Sequence, residues 1–144
     1  MSEVSTSPAT AVLITRMARR VYRVAREERV GLSMKVFSTL SVLRDHDGIA
    51  QQTLGEILGT DANMLVLLLN SAEDAGFARR VRDPKDRRRH IVELTDAGRR
   101  ALERAEAGVE EVEDEIFAAL DDDERVQLRT LLIKALTADG DDAA

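Results

Sequence analysis

The sequence predicts a mainly α fold with a small β-wing, an α+β class. Three observations predict it. Apolar residues recur at three- and four-residue steps over most of the 144 residues, which is the period of a helix. Two short runs, 78–82 and 90–94, break that period, read as strands and are joined by a polar loop. Glycines and small polar capping residues fall between the runs, where helices have to stop and start. The length suits one core with extensions.

Met1 to Pro8 is small and polar and 138–144 is an acidic tail, so 1–8 is expected to be disordered and both ends frayed. Across 9–29, Leu13, Met17, Val21 and Val24 fall on one face with arginines on the others, an amphipathic helix ending near Gly31. Ser33 offers an N-cap to a second helix carrying Val36, Phe37, Leu40, Val42 and Leu43, and the turn-prone Asp45-His46-Asp47-Gly48 stops it. Ile49 and Ala50 suit a very short strand. Residues 51–58 read as a short helix with Leu54, Ile57 and Leu58 inward, and Gly59 supplies a sharp bend. Thr60 or Asp61 then caps a helix of about 61–75, Gly76 suits the left-handed position after it, and Phe77 folds back over the last turn. Two helices joined by a tight glycine turn form a helix-turn-helix, a spacing shared with many helical hairpins.

The next segment narrows the choice. The strand-like runs 78–82 and 90–94 flank Asp83-Pro84-Lys85-Asp86-Arg87-Arg88-Arg89, a loop with four bases against two acids. A two-stranded ribbon with a basic tip beside a helix-turn-helix is a wing, about 78–95, whose tip suits the negative potential of a narrow minor groove. Thr95-Asp96 caps a long helix in which Leu102, Ala105, Val109, Val112 and Ile116 recur as a coiled-coil seam. Asp121 and Glu124 match a capping box for a last helix lined by Val126, Leu128, Leu131, Leu132, Ala135 and Leu136. So much apolar surface on terminal helices is hard to bury in one short chain, so a partner subunit is expected. Residues 9–32 and 95–137 are then dimerisation helices around a winged helix-turn-helix at 33–98.

Charge and composition remove several function classes. The absence of Cys excludes disulfide scaffolds, thiolate metal sites and thiol redox switches. His46 in a turn and His90 at a strand start are read as structural, so no metal and no cofactor is expected. Ser and Thr occur without a nucleophile elbow or a nearby base, and the carboxylates of 110–115 read as a solvated or dimer-rim helix face, so no enzyme is expected. The longest apolar run, Met64 to Leu69, is far short of the ~20 residues that cross a bilayer, and no signal pattern opens the chain, which gives a cytoplasmic expectation. The formal charge of −6 hides two basic blocks. Residues 16–35 hold six Arg and one Lys against Glu27 and Glu28, and 79–100 hold eight Arg and one Lys against four acids. The compensating acids lie in 36–78 and above all in 101–144. Because charges beyond ~8 Å are largely screened in physiological salt, a polyanion responds to the local block rather than to the total.

Residues 58–100 resemble the winged helix-turn-helix core of MarR-family transcription regulators. The resemblance lies in Gly76-Phe77 followed by Arg80, in the wing signature Asp-x-Arg at Asp86 and Arg88, and in Leu94-Thr95 with Gly98 three residues on. Helix order extends it over roughly 9–137. It implies a cytoplasmic homodimer, probing double-stranded DNA with the 61–75 helix in the major groove and the wing in the minor groove of a pseudo-palindromic site. It also implies a repressor released by a small aromatic or phenolic effector bound between dimer helices and winged lobe. By that similarity Arg88 is the groove-entering arginine with Asp86 its orienting partner. Lys85, Arg87 and Arg89 contact or steer toward phosphates, and Gln51, Gln52 and Thr53 meet the backbone.

The 61–75 helix departs from the family pattern, since Met64-Leu65-Val66-Leu67-Leu68-Leu69 stands where hydroxyl and basic residues are usual. Its polar candidates are Thr60, Asp61, Asn63, Asn70 and Ser71. Asn63 suits an adenine edge and Val66 or Leu67 a thymine methyl. Capping competes for Thr60 and Asn63, and burial or a second interface is expected for at least one of Val66 and Leu67. Weak or A·T-biased binding led by the wing is expected. The alternative is a dimeric adaptor or antagonist that uses the apolar 64–69 face to hold another protein. Tyr22, Phe37 and Met17 are candidates for a ligand pocket, although core packing is the expected role for them, as for Met34 and Met64.

Overall fold

The computed structural model describes residues 8–46 and 48–137. The expected tails, apart from Pro8, and Asp47 of the first turn lie outside the described residues. Among the described residues seven helices and three strands run in the order α1 (Thr10–Val24), α2 (Glu27–Val30), α3 (Met34–Asp45), β1 (Ile49–Ala50), α4 (Gln51–Leu58), α5 (Ala62–Asp74), β2 (Ala78–Arg82), β3 (His90–Leu94), α6 (Asp96–Ile116) and α7 (Asp122–Thr137). The three strands form one antiparallel sheet in the order β1-β3-β2, with Ile49 opposite Val92 and the hairpin register running from Ala78 opposite Leu94 to Arg82 opposite His90.

Short-range chemistry sets most helix starts. Ser33 accepts from the Val36 N–H at 3.2 Å, Asp61 from Met64 N–H at 2.8 Å and Thr95 from Gly98 N–H at 3.0 Å. Asp121 and Glu124 exchange bonds of 3.0 and 2.8 Å in a reciprocal capping box. At the end of α5, Gly76 takes φ +78° and the Phe77 N–H bonds the Ala72 carbonyl at 2.8 Å, which closes the helix and turns the chain into β2.

Two expectations are corrected. The first helix does not run on to Gly31: it stops at Val24, Arg26 is extended, and a separate short helix, α2, begins at Glu27. Ala25 and Val30 are buried there, and a Cβ at Gly108 of α6 would stand 3.0 Å from Val30 Cα, so a side chain at 108 would obstruct this close passage of α2 over α6. The second concerns the seam of α6. Leu102, Ala105, Val112 and Ile116 are buried within the protomer, in one cluster with Leu40, Leu43, Leu54, Leu69 and Val92, rather than left free for a partner helix. Most of the exposed apolar surface among the described residues sits on α1 (Val12, Leu13, Ile14) and α7 (Val126, Leu131, Leu132, Ile133, Leu136), neither of which contains a fully buried side chain. Among the described residues no helix is long and apolar enough to cross a membrane.

Candidate nucleic-acid interface

The tip of the wing is an internally bonded loop. The Asp83 N–H donates to the Arg89 carbonyl at 3.0 Å, and the Arg89 N–H to the Asp86 carbonyl at 3.0 Å. Asp83 Oδ1 accepts from Lys85 N–H at 2.8 Å, and Arg82 donates to the Arg87 carbonyl at 2.6 Å. Asp86 organises the rest: its Oδ1 accepts from the Arg88 N–H and from Arg88 Nε, both at 3.1 Å, and Oδ2 accepts from Arg88 Nη2 at 3.3 Å. The Arg88 side chain and its N–H beside Asp86 hold that carboxyl below the ordinary carboxylate range. Arg88 is nevertheless 90% exposed. An oriented, unburied guanidinium on a short loop is suited to enter a groove, because little side-chain freedom is left to lose on binding.

Between this tip, the N-terminus of α4 and the start of α5 lies an open cleft of about 510 Å³. Gln51, Gln52, Thr60, Arg88 and Arg89 line it together, five side chains chosen from the sequence and drawn from three separate elements. Glu56, Ala62, Val66 and His90 line it as well. Of these only Val66 is a candidate from the sequence; adjacency to Arg89 points to His90, one helical turn from Gln52 to Glu56, and adjacency to Asp61 to Ala62. Helix α4 presents its first N–H groups at the Gln51 end, a local positive pole suited to phosphate.

The other candidates fall elsewhere. Lys85 and Arg87 are exposed on the loop outside the cleft, and Thr53 is exposed on α4. Asp61, and not Thr60 or Asn63, is the N-cap of α5, so its carboxylate is engaged by the helix. Asn63, Val66, Leu67, Asn70 and Ser71 share the exposed face of α5. Val66 and Leu67 are 38% and 59% exposed, so neither is buried within the protomer. Leu65 and Leu69 point into the core and Met64 and Leu68 are half-buried, which leaves two side chains of the apolar run facing outward. Asn70 accepts a bond from Arg80.

A second cavity, of about 250 Å³, lies behind α5 and is lined by Tyr22, Lys35, Ser38, Thr39, Leu58, Gly59, Thr60, Met64 and Leu68. Tyr22 is half-exposed at its edge rather than packed in the core. Phe37 packs against the core and Met17 is half-buried on α1; neither lines this cavity. Met34 is a core contact as expected, whereas Met64 borders the cavity.

The sequence and the fold have parallels among known proteins. The model of the MarR family matches residues 32–90. The transcriptional regulatory protein for the hcr operon of Thauera aromatica is 30% identical over 114 residues, covering 79% of this chain and 69% of that protein. Among solved structures, the transcriptional repressor CouR bound to a 23-mer DNA duplex is 32% identical with a TM-score of 0.77, covering 88% of this chain and 91% of that one. CouR from Rhodococcus jostii RHA1 bound to p-coumaroyl-CoA is 26% identical with a TM-score of 0.74, covering 90% and 93%.

Proposed function

Because the chain belongs to the MarR family of winged-helix, DNA-binding transcription regulators, we propose that it represses transcription as a homodimer on a pseudo-palindromic operator and lets go when a small aromatic or phenolic ligand enters the cavity beside Tyr22. The observation that carries this is the convergence of Gln51, Gln52, Thr60, Arg88 and Arg89 on one open cleft, with Arg88 held out from the wing by Asp86. In this arrangement α5 lies in a major groove, the α4 N-terminus meets the backbone, and Arg88 reaches the adjacent minor groove. The duplex bound by CouR supports the first half of the proposal and its p-coumaroyl-CoA the second. The exposed aliphatic surfaces of α1 and α7 support a two-fold partner, which sets two such lobes one helical turn apart on DNA.

An adaptor that grips another protein with the 64–69 face is the weaker alternative, since only Val66 and Leu67 of that run face outward, far less than the ~800 Å² per partner of a standard interface. The test is binding to the DNA upstream of the protein's own gene across a salt series. A regulator gives a steep loss of affinity with salt, and Arg88→Ala with Arg87→Ala flattens it, by about 0.9 in log–log slope for each phosphate no longer neutralised. Absence of binding at low salt would favour the adaptor.

A further inference from the structure

The exposed face of α5 carries one side chain whose orientation is dictated by a neighbour. Arg80, on β2, donates from Nη2 to Asn70 Oδ1 at 2.6 Å. The same guanidinium is held by Glu73: its Nε donates to Oε1, and the Arg80 backbone N–H donates to Oε2 at 3.4 Å. Arg80 and Glu73 are 26% and 29% exposed, so the pair is largely shielded from water. A guanidinium has donors and no acceptor. The Asn70 amide therefore has to turn its oxygen toward Arg80 and its NH₂ away from it, and hydrogen-bond chemistry alone settles the flip. Val66 and Leu67 precede it by four and three residues, the spacing that makes helix neighbours, and both are exposed.

The major-groove edges of the four bases respond differently to such a surface. Cytosine shows a donor, adenine an acceptor beside a donor, guanine two acceptors, and thymine an acceptor beside a methyl group. Bidentate pairing with adenine needs the amide oxygen in the groove as well, where Arg80 does not let it stand. A fixed donor next to two aliphatic side chains matches thymine. We propose that Arg80 and Glu73 are positioning residues that hold Asn70 as a donor, and that Asn70 with Val66 and Leu67 selects a thymine in each half-site. The inference rests on α5 lying in the major groove.

The test is selection of sites from randomised duplexes by the full-length protein, followed by competition at the selected thymine. 5-Methylcytosine at that position keeps the methyl and exchanges acceptor for donor; deoxyuridine loses only the methyl. The wild type is expected to lose about ten-fold or more with the first, the range for an unsatisfied polar group, and about four-fold with the second, the effect of one methyl. Asn70→Asp keeps the acceptor for Arg80 but places carboxylate oxygen in the groove, so the preference should invert toward 5-methylcytosine. Arg80→Met frees the amide and should narrow the thymine preference several-fold while the deoxyuridine penalty stays. A thymine preference unchanged in Asn70→Asp, or an equal loss on every base, overturns the inference. Salt-sensitive binding with no altered base preference removes this inference alone; no binding to any duplex removes the groove reading together with it.

Discussion

Gly98 is the residue on which the junction between α5 and the wing turns. It stands third in α6, where a Gly→Ala change ordinarily stabilises a helix by up to about 1 kcal/mol. Here a Cβ would run into the Phe77 carbonyl oxygen, 2.9 Å from its carbon and 2.7 Å from Leu94 Cδ1. Carbon atoms prefer about 3.5–4.0 Å, so the Phe77 backbone would have to move by at least about 0.6 Å. That backbone cannot move alone, because Phe77 O accepts from Thr95 N–H at 3.1 Å and the neighbouring Gly76 carbonyl accepts from Thr95 Oγ1 at 2.6 Å. Overpacking against backbone belongs at the upper end of the usual range, about 3 kcal/mol, which after the helix-propensity gain leaves a net loss of about 2 kcal/mol. Gly76→Ala provides the comparison. Its φ of +78° makes an L-residue strained by about 1–2 kcal/mol, but nothing lies within 4 Å of the added carbon. Urea denaturation at one fixed protein concentration, followed by far-UV circular dichroism, measures both. The expected order is Gly98→Ala at least as damaging as Gly76→Ala, with a midpoint some 5 °C or more below wild type in thermal scans. A Gly98→Ala protein as stable as the wild type would refute the steric reasoning.

Three further outcomes are expected. Asp86 has its folded pKa depressed by Arg88, so its hold on the loop is present above the ordinary Asp value of about 3.9 and is lost only as pH falls through the lower folded value; carboxyl-carbon NMR should titrate below 3.9 and move back up in Arg88→Ala, and a midpoint at or above the ordinary value would count against the loop geometry. Tyr22 is the single tyrosine in a chain without tryptophan, so filling the neighbouring cavity with an aromatic acid or phenol should change ultraviolet emission saturably, a signal that Tyr22→Phe removes; a saturable signal persisting in that variant would place the ligand elsewhere. Val126→Glu with Leu136→Glu alters two side chains 66% and 76% exposed in the chain, so against the wild-type dimer proposed above sedimentation should report monomers, with helicity unchanged by circular dichroism, and an intact dimer would exclude this face of α7 from the subunit contact.

Local rules made most elements legible in the sequence. Ser33, Thr95 and the Asp121–Glu124 pair act within three residues of themselves, so position alone identifies them, and for α5 it narrows the cap to Thr60 or Asp61, of which Asp61 serves. The wing strands followed from the same short-range signals, whereas the tie of Arg88 to Asp86 comes from the resemblance to the MarR family. What stayed hidden depends on distant partners. The short helix after the break at Val24 passes close to Gly108, a small residue in another helix. The stripe on α6 announces that it is buried without saying against what, which is why an intramolecular core and a coiled-coil seam look alike. Asn70 meets Arg80 only because β2 returns beside α5, and Tyr22 reaches the edge of a cavity only because α1 crosses near α3 and the Gly59 turn.

Thr60 lines both the DNA-facing cleft and the cavity beside Tyr22. The two spaces thus share a residue beside the Gly59 turn, and α5 contributes to both, with Ala62, Leu65 and Val66 lining one and Met64 and Leu68 the other. Anything that moves Thr60 from one side therefore alters the lining of the other. In the proposed arrangement, with a duplex in the cleft and a ligand in the cavity, whatever factor the ligand takes from duplex affinity the duplex takes from ligand affinity, because a coupling free energy is the same in both directions.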